Sequence, residues 1–283
     1  MSEALRLARE GAVWVLAAAL VAAAIGAPLL APYDPGLLAG PPFAPPSPTY
    51  LLGTNDVGQD LLSQLLYGVR TSLLVAGSVA LLSTLLSWAV GLAAGVSRPA
   101  EAVLMPLVEL LLALPSLPLY MLTVTLVGPS LPHLVLMLAL LSWPAFARVV
   151  RSVVITERAA PYVEAARALG ATRRHLAWQH LLPATLDVLP TKLILTVRFA
   201  IFAEATLAFL GLGDPATISC GTMLSRAFDD PLLFNRPVWP WLVLPPAAAI
   251  MALVLTAAWM SRALEARLAP SRRVPGRPRP VDA

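Results

Sequence analysis

The chain has 283 residues, of which 58% are hydrophobic and 13% charged, with a net charge of +4. A soluble domain carries about 25% charged residues. This chain lacks the polar skin that a soluble fold of its length requires, so a bilayer is its natural solvent. Its single cysteine, Cys220, excludes an internal disulfide and a metal site built on thiolates.

A spanning helix needs about 20 mostly apolar residues. Such segments run near Gly11–Pro32, Ser72–Val96, Ala102–Val127, Leu131–Ala147, Lys192–Leu212 and Val238–Met260. They predict an all-α, polytopic membrane protein with about six transmembrane helices. Arg6 and Arg9 before the first apolar run also fit a signal peptide, but no small-x-small cleavage pattern follows and more spans come later. The organisation expected is an N-terminal helix and external strap over 1–71, a membrane core over 72–268, and a disordered Arg- and Pro-rich tail over 269–283. The proline run from Pro41 to Pro48 predicts that the strap is extended and semi-rigid.

The basic residues orient the chain. With the N-terminus in the cytoplasm, only Arg70, Arg226 and Arg236 fall outside, and Arg198 lies within a span. The rest of the 20 Lys and Arg residues fall inside. This asymmetry predicts cytoplasmic N- and C-termini.

The internal loop after Ala147 is unusually long. Pro161 suits the first turn of a helix, Glu164 sits near its positive end, and Gly170 is a natural stop. Tyr162, Ala165, Ala166 and Leu169 fall at i, i+3, i+4 and i+7 and so share one face. A second short helix is expected over about Thr172–Leu182, ending before Pro183, with Trp178, Leu181 and Leu182 as its apolar edge. A small-residue face admits the close approach of a partner. The residues alone equally permit an amphipathic helix resting on lipid headgroups.

The run from Tyr162 through Glu164-Ala165-Ala166-Arg167 and Gly170 to Ala171, followed by His180-Leu181-Leu182-Pro183-Ala184, resembles the EAA loop of binding-protein-dependent ABC importers. Two further blocks resemble the dipeptide/oligopeptide/nickel permeases of that family. One is Leu52-Gly53-Thr54-Asn55-Asp56-Val57-Gly58-Gln59-Asp60, continuing through Ser63, Tyr67, Gly68, Arg70 and Ser72. The other is Ala203 to Gly213 around Glu204. Gln59, Gln64, Asn55 and Ser219-Cys220-Gly221 depart from the commoner pattern.

The resemblance implies that Tyr162, Glu164, Ala165, Ala166, Arg167 and Gly170 form a coupling helix that docks on an ATPase subunit. It also implies a pair of homologous permeases in the inner membrane, two ATPase subunits carrying ATP and Mg, and an external substrate-binding protein. This chain is then expected to bind no cofactor itself and to catalyse no reaction. Peptide is the cargo implied first, with nickel as another.

Other chemistries find little support. A P-loop needs a Lys after its second Gly, and the only Lys, Lys192, follows Pro190-Thr191. His175 and His180 lack the spacing of paired metal ligands on one helical face. A proton-coupled secondary transporter is the alternative, because such proteins use ionisable groups at membrane depth. The candidate pathway or gate residues are Glu109, Arg198 and Glu204. Glu204 lies roughly 18 Å along the fifth span, beyond the reach of snorkelling from its start. Arg198 and Glu204 are about 240° apart around the helix and cannot pair within it.

Overall fold

A computed structural model describes residues 2–268 of the chain; the predicted tail, 269–283, lies outside the described residues. Among these residues the regular structure is helical, with only isolated bridges between Leu38 and Gln59 and between Thr54 and Asp60. The helices are α1 (Ser2–Ile25), α2 (Ala27–Leu30), α3 (Leu61–Val96), α4 (Arg98–Ala113), α5 (Ser116–Val127), α6 (Leu131–Arg158), α7 (Pro161–Ala168), α8 (Arg173–Leu176), a π-helical turn (Ala177–Leu181), α9 (Leu182–Leu186), α10 (Leu189–Phe209), α11 (Cys220–Phe228) and α12 (Trp239–Leu268).

Each predicted span is helical. By length and apolarity alone α3, α6 and α12 can cross a membrane among the described residues, and α4 with α5 makes a fourth if that bent pair counts as one. The apolar part of α1, Gly11–Ile25, is shorter, and α10 carries Lys192, Arg198 and Glu204.

Helix α3 is the axle of the fold. It begins at Leu61 rather than near Ser72, because Asp60 accepts from the Ser63 amide at 2.8 Å and from the Ser63 hydroxyl at 2.7 Å. Such an N-cap satisfies donors the helix cannot. Residues 71 and 72 therefore lie within one continuous helix. Further along, Ser83, Ser87, Gly91 and Gly95 recur every fourth residue on the buried face, which lets α6 approach closely. The Ser87 hydroxyl donates to the Trp143 carbonyl at 2.9 Å, and Ser142 donates to Ser83 at 2.9 Å. A Cβ on Gly91 would lie 2.6 Å from the Ala147 oxygen, and one on Gly95 would lie 2.5 Å from Val154 Cβ. These two helices form one closely packed pair.

The third span is two helices bent by 91° at its prolines, and elsewhere several expectations are corrected. Pro115 has no N–H and forces Leu114 into an extended conformation (ψ 131°). Helix α6 runs past Ala147 to Arg158, since no proline or glycine lies between them to break it. The strap is not a free extended segment. Thr54 donates to the Pro41 carbonyl at 2.6 Å and accepts from the Ala44 amide at 2.8 Å, while the Tyr50 hydroxyl donates to Ala39 at 2.6 Å. Gly53 and Gly58 supply the positive φ angles of its turns. These bonds fold the proline run back over the end of α3.

Candidate functional site

The loop between α6 and α10 begins where Arg158 ends α6. Its guanidinium donates to the Gly95 carbonyl at 2.7 Å. That carbonyl is among the last of α3, where a cation meets the negative end of the helix dipole. Arg151, two turns earlier, pairs with Glu101 on α4 through Nε at 3.0 Å. The cytosol-suited end of α6 is thus held by both neighbouring helices.

Pro161 opens α7 and Gly170 closes it, as the sequence predicts. The closure is a Schellman motif: the Ala171 amide donates to Ala166 at 3.1 Å and the Gly170 amide to Arg167 at 3.0 Å, with Gly170 at φ +88°. A Cβ on Gly170 would meet nothing within 4 Å. Glycine is needed there for its dihedral, not for space. Within α7 only Val163 is buried, and sequence reasoning did not single it out. The predicted face points outward. Tyr162 is 49% exposed and Leu169 89%, Glu164, Ala165 and Arg167 are exposed, and Ala166 is half-buried. Leu169 is thus a large apolar group left uncovered by the described residues.

The second half of the loop departs from expectation. The helix does not stop before Pro183. It widens into the π-helical turn Ala177–Leu181, in which the Leu182 amide donates to Ala177. The wider turn makes room for the proline ring, which clashes with the carbonyl four residues back in an α-helix. Leu176 and Leu181 are buried, whereas Trp178 is 63% exposed, so the predicted apolar edge is split between two faces. The Tyr162 ring lies 5.5 Å from the His180 ring. At the loop's exit, Trp88 Nε1 on α3 donates to Thr185 at 2.9 Å, and Lys192 Nζ donates to the Ser142 carbonyl of α6 at 2.9 Å. Both ends of the loop are fastened to the α3–α6 pair.

The candidate residues within the spans are not brought together. Glu204 is buried; the Ser72 hydroxyl of α3 donates to it at 2.9 Å, and the Cys220 thiol at the start of α11 lies near it. This links α10, α3 and the start of α11. Ser72 is 132 residues away in the chain, so no local pattern reveals the pair. Helix α11 rests on α10 through Gly221, whose Cβ would come 2.6 Å from the Ala205 oxygen. Beside it, burial and then the nearby Glu204 carboxylate push the Cys220 thiol up to about 12. Arg198 is exposed on α10 and Glu109 is exposed on α4. Among the described residues neither has a hydrogen-bond or ion-pair partner, and neither touches Glu204.

Residues 83–270 match the family described as "Binding-protein-dependent transport system inner membrane component". The chain is 34% identical over 269 residues to the dipeptide transport system permease protein DppC of Haemophilus influenzae, covering 92% of this chain and 89% of that one. It is 37% identical over 260 residues to the di/tripeptide transport system permease protein DppC of Pseudomonas aeruginosa, covering 89% and 84%. A putative peptide permease protein of Brucella suis is 36% identical over 246 residues, covering 85% and 80%. The chain therefore belongs to the inner membrane components of binding-protein-dependent transport systems.

Proposed function

We propose that the chain is one permease subunit of an ATP-driven importer of di- or oligopeptides. It forms half of the translocation pathway, and a homologous permease forms the other half. Two ATPase subunits bind ATP and Mg and dock on α7, and an external binding protein delivers the peptide. The N- and C-termini and the loop 159–188 face the cytoplasm.

One observation carries this reading. Helix α7 turns its Tyr162–Ala165–Leu169 face outward while both ends of its loop are fastened to α3 and α6. A push on that face therefore moves membrane helices instead of bending a loop. The permease then needs two arrangements of similar energy, which an ATPase biases through α7. Tyr162, Glu164, Ala165, Ala166, Arg167 and Gly170 are the residues assigned to that contact. Glu204 is assigned to support of the pathway helices rather than to proton transfer. Peptide as cargo rests on the relatives, which are named as dipeptide, di/tripeptide and peptide permeases.

The proton-coupled alternative gains nothing from the geometry, since Glu109 and Glu204 form no chain of ionisable groups. The test is peptide uptake by vesicles that contain the assembled system. Uptake that persists when the proton gradient is collapsed and ATP is maintained supports the proposal. Uptake that stops with the gradient and ignores ATP refutes it.

A further inference from the structure

A cleft of about 480 Å³ lies between α1, α3, α10 and α12. Its walls are apolar: Ala17, Ala24 and Ile25 on α1, Gly77 on α3, Leu253 and Met260 on α12. Among the described residues Arg70 and Thr256 are its only polar lining residues. A Cβ on Gly77 would meet nothing within 4 Å, so none of the described residues fills the cleft at that level. The wall from Ala17 to Ile25 is about 12 Å long at 1.5 Å per residue, close to half of a ~30 Å hydrocarbon core.

Arg70 sits at one end, just before the apolar stretch of α3 that begins near Ser72. Its guanidinium lies 6.0 Å from the centre of the Tyr67 ring and pairs with no carboxylate among the described residues. An unpaired guanidinium at the mouth of an apolar, one-leaflet-deep cleft matches a molecule with a phosphate at one end and a hydrocarbon chain at the other.

We propose that this cleft holds one phospholipid of the surrounding membrane, its acyl chain against Gly77 and its phosphate on Arg70. A guanidinium and a phosphate form charge-assisted hydrogen bonds. The acyl chain replaces the side chain that Gly77 lacks. The site lies between α1 and α12, apart from α7.

The test uses the full-length protein in vesicles of phosphatidylethanolamine and phosphatidylglycerol. The vesicles are doped with phosphatidylglycerol that carries a diazirine in its acyl chain, then irradiated, and the adducts are mapped by mass spectrometry. The expected adducts concentrate on 17–25 and 253–260. Gly77→Leu, which has room for its side chain, removes them with the thermal midpoint unchanged. Arg70→Gln lowers them roughly tenfold, the loss of about one charge-assisted hydrogen bond. If Gly77→Leu fails to fold, Arg70→Gln decides alone. Adducts spread evenly over the outward helix faces, or unchanged in Arg70→Gln, overturn the proposal. So does a cross-link from this cleft to another protein chain in place of lipid.

Discussion

The Arg158 guanidinium holds the Gly95 carbonyl at 2.7 Å, so the end of α6 that leads into α7 is fastened to the end of α3. Four residues earlier on α6, Val154 lies so close to Gly95 that a Cβ there would approach it to 2.5 Å. One backbone position thus serves both as a packing surface and as a hydrogen-bond acceptor.

Replacement of Arg158 by Gln should leave membrane insertion intact and weaken transmission from α7. A hydrogen bond to a charged group contributes about 1.5–3 kcal/mol when buried, and this one is only partly buried, so the low end applies. The measurement is peptide-stimulated ATP hydrolysis against total subunit in the membrane. Stimulation equal to wild type would remove Arg158 from the route.

Gly91→Val and Gly95→Val should each destabilise the α3–α6 pair. Overpacking typically costs about 1–3 kcal/mol, and here the backbone oxygen of Ala147 cannot move aside as a side chain can. Thermal unfolding in detergent should show a lower midpoint for both. Gly77→Leu, with open space at its Cβ, is the matched control and should be neutral.

Gly170 separates dihedral from space. Any non-glycine residue at φ +88° is strained by roughly 1–2 kcal/mol, and Asn suffers least. Gly170→Asn should therefore retain more ATPase coupling than Gly170→Val. Equal loss in both would mean that the surface of the closing turn matters rather than its backbone.

Much of this arrangement can be read along the chain, and some of it cannot. Pro161 and Gly170 mark the ends of α7 because each acts on its own backbone. Hydropathy finds the lipid-embedded part of α6 but not its continuation to Arg158, since hydropathy responds to solvent and not to helix formation. The strap folds back through Thr54 and Tyr50, whose bonds reach residues more than ten positions away. Val163 lies off the Tyr162–Ala165–Ala166–Leu169 face, and one residue carries no periodic signal. The Ser72–Glu204 and Trp88–Thr185 contacts join distant segments: Glu204 stands out as an acid within a span, but nothing near it in the sequence names Ser72 as its partner.

Cys220 provides a pH prediction. Its folded-state pKa, about 12, lies above the ordinary thiol value of 9.0. The folded form keeps its proton while the unfolded form loses it, so the associated stability is present below pH 9 and is lost as pH rises toward 12. Maleimide should therefore label the folded protein slowly at neutral pH and rapidly only after unfolding. Rapid labelling of the folded protein would show that α11 lifts away from α10.

That silent thiol makes single-cysteine cross-linking clean, and it gives the most direct test of α7 as the contact with the ATPase. Glu164→Cys and Leu169→Cys are introduced into the otherwise unaltered chain, and short bifunctional reagents are applied in native membranes. The expected product joins either cysteine to a nucleotide-hydrolysing subunit, with a yield that changes when ATP replaces ADP. Failure of both cysteines to capture such a subunit, in membranes where peptide uptake is active, would contradict the account.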